Sequence, residues 1–177
     1  ALLVAGREDE AIDYIARIIG DDFDPDPEAR MELAVLMLTV GRDEDALSQV
    51  NQVLLERPNN TSALRLMAII NFRQQNLDAA WDDFEDLLAS GQYRFDALYY
   101  LALIADIRES FEQAILLYTE VTQGSNAVAA QRRAAALLAF RMDAADEALD
   151  QLDEFAADNP AHAIDTMESK AQLLASI

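Results

Sequence analysis

Alanine returns in this chain with a period of 34 residues. Ala46, Ala80, Ala114 and Ala148 are each 34 apart, and a second series (Ala34, Ala68, Ala102, Ala136) keeps the same spacing twelve residues upstream. Four stretches carry the first series: GRDEDALSQVNQVL from Gly41, QNLDAAWDDFEDLL from Gln75, ESFEQAILLYTEV from Glu109 and DAADEALDQLDEF from Asp143. A fixed period of this length marks a stacked array of one supersecondary unit, in which each unit buries its apolar face against its neighbours.

Apolar residues within each unit recur at helical spacing, as in Leu98, Leu101, Ala102 and Ala105. The unit reads as two helices. The first is expected over about 27–40, 61–74, 95–108 and 127–141, and the second over about 44–56, 78–89, 112–123 and 145–157. Short turns such as Val40-Gly41-Arg42 join the pairs, and Pro58 and Pro160 follow second helices, where proline stops the helix. Five glycines and four prolines leave little room for long loops. The two alanine series fall where helices must approach closely. Val50, Phe84, Tyr118 and Leu152, one turn beyond the first series, fill the space between helices. The fold class is all-α.

Charge excludes some functions. The formal net charge of −20 argues against nucleic acid and against an anionic membrane surface. The basic residues are Lys170 and twelve arginines. With no cysteine there is no disulfide, thiolate metal site or cysteine nucleophile. His162, the single histidine, stands beside a helix-breaking proline and reads as a cap or turn residue rather than a catalytic base. Asp82, Asp83, Glu85 and Asp86 lie on an expected helix and read as a solvated face. The acidic loop 21–26 is a better calcium candidate, although it lacks the glycine and distal glutamate of an EF-hand. No phosphate-binding loop or nucleophile motif is present. Neither an enzyme activity, a metal nor a cofactor is expected.

The period and pattern resemble the tetratricopeptide-repeat (TPR) family. Ala34, Ala68, Ala102 and Ala136 match its small residue on the first helix, and Ala46, Ala80, Ala114 and Ala148 its alanine on the second. Phe84 and Tyr118 match its aromatic, and Pro58 and Pro160 its proline. The first large position is degraded to Arg30, Leu64, Leu98 and Arg132, and the last alanine is replaced by Val53, Leu87, Val121 and Phe155. The resemblance implies a right-handed superhelical solenoid of antiparallel helix pairs, with repeats at 27–60, 61–94, 95–128 and 129–162. Residues 1–26 read as a partial repeat: the tail of a first helix, a second helix containing Ala11, and the acidic loop. Residues 163–177 read as the first helix of a further, truncated repeat. A looser resemblance, carried by DALYYLALIADIRESFEQAILLYTEV, is to long scaffold arrays of bacterial cell envelopes, which would place the chain on the periplasmic side.

In that family the first helices line a concave surface that holds a protein segment. Its outward positions imply a partner-binding strip of Met31, Val35, Arg65, Ile69, Phe72, Arg73, Tyr99, Leu103, Arg133, Leu137, Phe140 and Arg141. The strip is apolar and carries four arginines, which fits an apolar segment with one or two acidic groups. Packing against other parts of the protein is the alternative. The lysine and asparagine of the chaperone-tail clamp are absent from the fifth and ninth positions of each unit. The resulting reading is a non-catalytic interaction scaffold that binds a protein segment. Self-association through open repeat ends, or service as the regulatory arm of an enzyme elsewhere, are the other readings.

Overall fold

A computed structural model describes residues 8–21 and 26–177, with Glu8, Gly20 and Asp21 described by backbone alone. The expected first-helix tail at 1–5 and most of the acidic loop lie outside the described residues. The described chain is helical throughout and contains no strand. In order, the helices are α1 (Glu8–Asp21), α2 (Pro27–Thr39), α3 (Asp43–Glu56), α4 (Thr61–Arg73), α5 (Leu77–Ala89), α6 (Arg94–Ile107), α7 (Phe111–Thr119), α8 (Ala127–Arg141), α9 (Ala145–Asp158) and α10 (Ala163–Leu174). A 3-10 turn, Pro160–His162, leads into α10. No described helix is long and apolar enough to cross a membrane. The chain divides into two compact units, 1–83 and 84–177, with the border inside α5.

Local chemistry sets the helix starts. Asp26 caps α2 by accepting from Glu28 N–H at 3.0 Å, with Pro27 at the first helical position. Asn60 caps α4 through Ala63 N–H at 3.0 Å. Asp43, Glu44 and Asp45 crowd the first turn of α3, where the helix dipole favours negative charge.

The turns from first to second helix share one geometry. Gly41, Gln75 and Glu109 each adopt a left-handed backbone, with φ of 81°, 63° and 59°. Each donates its N–H to the carbonyl three residues back (Leu38, Phe72, Asp106). The next residue donates to the carbonyl five back: Arg42 to Met37, Asn76 to Asn71, Ser110 to Ala105. This is the Schellman closure of a helix C-terminus. The fourth turn is looser: Asp143 has φ 56°, but Ala144 N–H reaches back six residues, to Leu138.

The core follows the repeat pattern. Ala46, Ala80, Ala114 and Ala148 are fully buried, as are Val50, Phe84 and Tyr118, with Leu152 nearly so. Ala34, Ala68 and Ala102 are also fully buried, whereas Ala136 is only partly covered. In the first unit one cluster joins Ile12 and Ile19 of α1 to Leu33, Met37, Val50, Val53, Leu66 and Ile70. In the second, Phe84 stacks on Tyr100 at 4.7 Å between ring centroids, and Tyr99 meets Tyr118 edge-on at 6.1 Å.

The helix α7 ends at Thr119, four residues before the sequence expectation. Thr119 Oγ1 bonds back to the carbonyls of Ile115 and Leu116, and β-branched Val121 and Thr122 follow. The freed carbonyls find a partner in Gln131 of α8. Its buried amide donates to the carbonyls of Tyr118, Thr119 and Val121 at 3.1 to 3.3 Å, and its oxygen accepts from Gln151 at 2.6 Å.

Candidate functional site

Each unit presents part of the strip expected from the first helices. In the first unit, Val35 of α2 is 46% exposed, Met31, Arg65, Ile69 and Phe72 are partly covered, and Arg73 is exposed. In the second, Phe140 of α8 is 55% exposed, Arg133 and Arg141 are exposed, and Tyr99 and Leu103 of α6 are partly covered. Leu137 departs from the expectation: it is 2% exposed and belongs to the interior. It lies one turn after Arg133, which reaches from α8 to Asp106 of α6, so this side of α8 is turned toward a neighbouring helix rather than to solvent.

The arginines of the strip are held by the protein itself. Arg73 grips Asp43 with two contacts of 2.9 Å. Arg133 Nε donates to Asp106 Oδ2 at 2.5 Å, and Asp106 is only 9% exposed while Arg133 is 53% exposed. Arg141 lies over the Phe111 ring, 5.0 Å from its centroid. Arg65 also has a partner within the fold. These cations are therefore oriented in advance, and Arg133 keeps its outer edge in solvent.

The Asp106–Arg133 pair sits beside the buried hydroxyl of Tyr118, which has no well-aligned hydrogen bond. Burial, and then the charge of Asp106, push the Tyr118 phenol well above its ordinary range. The hydrogen bond to Asp106 raises the Arg133 pKa further. Both ionisations are thus locked near neutrality: the phenol stays protonated and the guanidinium charged. Tyr118, Asp106 and Arg133 form a supported electrostatic post on the first-helix face of the second unit, with the Tyr99 ring beside it.

The other titratable candidates do not form a reactive centre. His162 caps α10, and its ring stacks on Phe155 with centroids 6.2 Å apart. Asp83 accepts from Asn71 at 2.8 Å. No group of three or more histidine and acidic side chains among the described residues is arranged to hold a metal.

Helix pairs joined by a repeated turn, with alanine at each close approach, define an all-helical repeat protein of the solenoid class. Tetratricopeptide-repeat models match residues 2–70 and 65–128. The chain belongs to the tetratricopeptide-repeat family, and the fold is the TPR solenoid. Solved structures agree at low identity. MamA from Desulfovibrio magneticus RS-1 superposes with a TM-score of 0.69 at 19% identity over 90% of both chains. A tetratricopeptide repeat protein from Parabacteroides merdae gives 0.67 at 17% identity, covering 97% of this chain and 68% of that one. YrrB, described as a TPR protein with an unusual peptide-binding site, gives 0.62 at 21% identity over 92% and 82% of the two chains. No curated protein sequence matches. Proteins of this fold generally mediate protein–protein interaction and are generally not catalysts.

Proposed function

We propose that this chain is an adaptor that captures a segment of another protein on the face that the first helices present within a unit. The observation that carries the reading is the recurrence, 34 residues apart, of apolar side chains that the fold leaves exposed or only partly covered: Val35 and Ile69 in the first unit and Leu103 in the second, with exposed Phe140 one turn beyond buried Leu137, the next position in that register. The segment it suits is largely apolar. Acidic groups on that segment meet the outer edges of Arg133 and Arg141, already oriented by Asp106 and Phe111. YrrB offers a fold-level parallel for peptide capture. The repeat boundaries at 27, 61, 95 and 129 are part of this proposal, because they set the register of the strip.

The test is affinity capture with the wild type and a Val35→Asp, Arg141→Glu double variant, with helicity checked by circular dichroism. Loss of a defined set of proteins at unchanged helicity supports the reading, and capture of the same set by both sinks it. The outer stripe of α10 (Ile164, Met167 and Leu174, 82%, 64% and 51% exposed) favours self-association as a second reading. Light scattering over a dilution series decides it, since a monomer at every concentration excludes that reading.

A further inference from the structure

We propose that an open pocket between α8, α9 and α10 is a socket for one large apolar side chain of an acidic partner peptide, with Arg132 pairing the adjacent carboxylate. The proposal rests on the adaptor reading and adds a place and a ligand chemistry that the first-helix strip does not specify.

The pocket arises from two departures from the repeat's own pattern. In α6, Leu98 and Leu101 are each 2% exposed and fill the space beside their helix partner. One period later the same register holds Arg132 and Ala135, and a further period later Thr166 and Ser169. Arg132 turns outward and Ala135 is too short to replace a leucine, so a pocket of about 160 Å³ is left, floored by Leu152 and Leu173 and flanked by Ala136 and Phe140. Apolar space of roughly 150 Å³ is enough for a benzene ring. The serines that border the pocket keep its wall apolar, because Ser169 Oγ donates to the Asp165 carbonyl and Ser176 Oγ to that of Gln172. This opening explains why Ala136, alone among the eight repeat alanines, is not fully buried.

Charge selects the occupant. The chain carries 33 acidic and 13 basic residues, so carboxylates are plentiful partners. Arg42, Arg73, Arg94 and Arg133 each pair with one, and Arg30 bonds Gln49. Arg132, exposed at the pocket rim, has no hydrogen bond or ion pair among the described residues. The helix α8 carries three arginines and no acidic residue. A local basic edge beside an apolar socket, on a protein of net charge −20, fits an aspartate or glutamate next to a large apolar residue, and repels a basic segment. Because the acidic group meets a rim charge, it governs selectivity, and the socket supplies the anchor.

The probes are acetylated, amidated heptapeptides with phenylalanine, leucine or methionine between two glutamate pairs, read by fluorescence anisotropy on the full chain. Controls replace the central residue by alanine or the glutamates by lysine. At least one acidic peptide binds saturably and both controls fail. Arg132→Glu weakens binding about tenfold at low salt. Ala135→Leu, which restores the residue used at position 101, abolishes binding without lowering the unfolding midpoint. Failure of all three peptides at millimolar concentration, or affinities that neither variant changes, overturns the proposal, and Arg132→Glu alone decides it if Ala135→Leu does not fold. Loss of self-association in Ala135→Leu, with peptide binding intact, would assign the socket to a second copy of the chain and also overturns it. Partner capture that survives Ala135→Leu but is lost with Val35→Asp, Arg141→Glu rejects the socket while leaving the adaptor reading in place.

Discussion

The left-handed turns offer a direct way to measure how the repeat is closed. Glu109 sits at φ 59°, where an L-residue's Cβ crowds the backbone, yet its side chain is exposed and makes no hydrogen bond or ion pair among the described residues. Replacing it by glycine removes a strain of about 1–2 kcal/mol. Glycine also gives the unfolded chain more freedom, which takes back about 0.5–1 kcal/mol. The net expectation for Glu109→Gly is a gain of about 0.5–1 kcal/mol. Gln75→Gly, at φ 63°, should match it. Asp143→Gly should gain less, because aspartate tolerates this conformation better and its turn is already loosened. Gly41→Ala is the reverse experiment. Nothing lies within 4 Å of the added Cβ, so its cost is conformational alone, about 1 kcal/mol. Urea unfolding followed by circular dichroism measures all four, with Glu109→Ala as a control that keeps the Cβ and should gain nothing. An unchanged or lower midpoint for Glu109→Gly, together with a harmless Gly41→Ala, would refute the strain argument.

Two further outcomes are expected. Gln131→Leu leaves the carbonyls of Tyr118, Thr119 and Val121 and the amide of Gln151 without their buried partner, and should lower stability by about 2–3 kcal/mol, read from the urea midpoint at constant slope. The Tyr118 phenol is raised in the folded state, so the stability it contributes is full below the unfolded value near about pH 10 and is lost as pH climbs toward the folded value. Absorbance at alkaline pH should therefore show one of the five tyrosines titrating only as helicity collapses, and Tyr118→Phe should shift that collapse to higher pH.

Much of the fold was legible because alanine at a close helix approach has no substitute. Ala46, Ala80, Ala114 and Ala148 could be picked out at a spacing of 34 and are all fully buried. The shared turn was hidden after its first occurrence. Gly41 announces a left-handed residue, and Asp143 hints at one because aspartate tolerates it, but Gln75 and Glu109 occupy that conformation under strain, and their identities carry no sign of it. The end of α7 was harder to read: Thr119, Val121 and Thr122 are local signals against continuing the helix, but the partner that satisfies the freed carbonyls, Gln131, lies on the next helix. At one position the strip was read too literally in exposure. Leu137 holds the same position as Leu103 and is buried, because burial at a given register also depends on which neighbouring helix the position meets.

Arg132 shows most clearly what a single-register reading loses. Set against its period mates it looks like a worn core position, since Leu98 fills that place in the preceding repeat. A worn core position should destabilise the repeat through a buried charge or an empty cavity. The structure avoids the first by turning the guanidinium out, and retains the second as an open pocket floored by Leu152 and Leu173. Ala135 is the stricter clue. Ala135 is itself 1% exposed, and a leucine there would extend its side chain toward the pocket, as the repeat already accommodates one at 101. Natural proteins commonly leave the stability of such filling unrealised, so the alanine alone does not mark a binding position, and the variant must be read for stability and capture together. For a socket, stability and capture should move in opposite directions in Ala135→Leu. That opposition separates a functional socket from a packing defect, since repairing a defect would raise stability and leave every interaction of the protein unchanged.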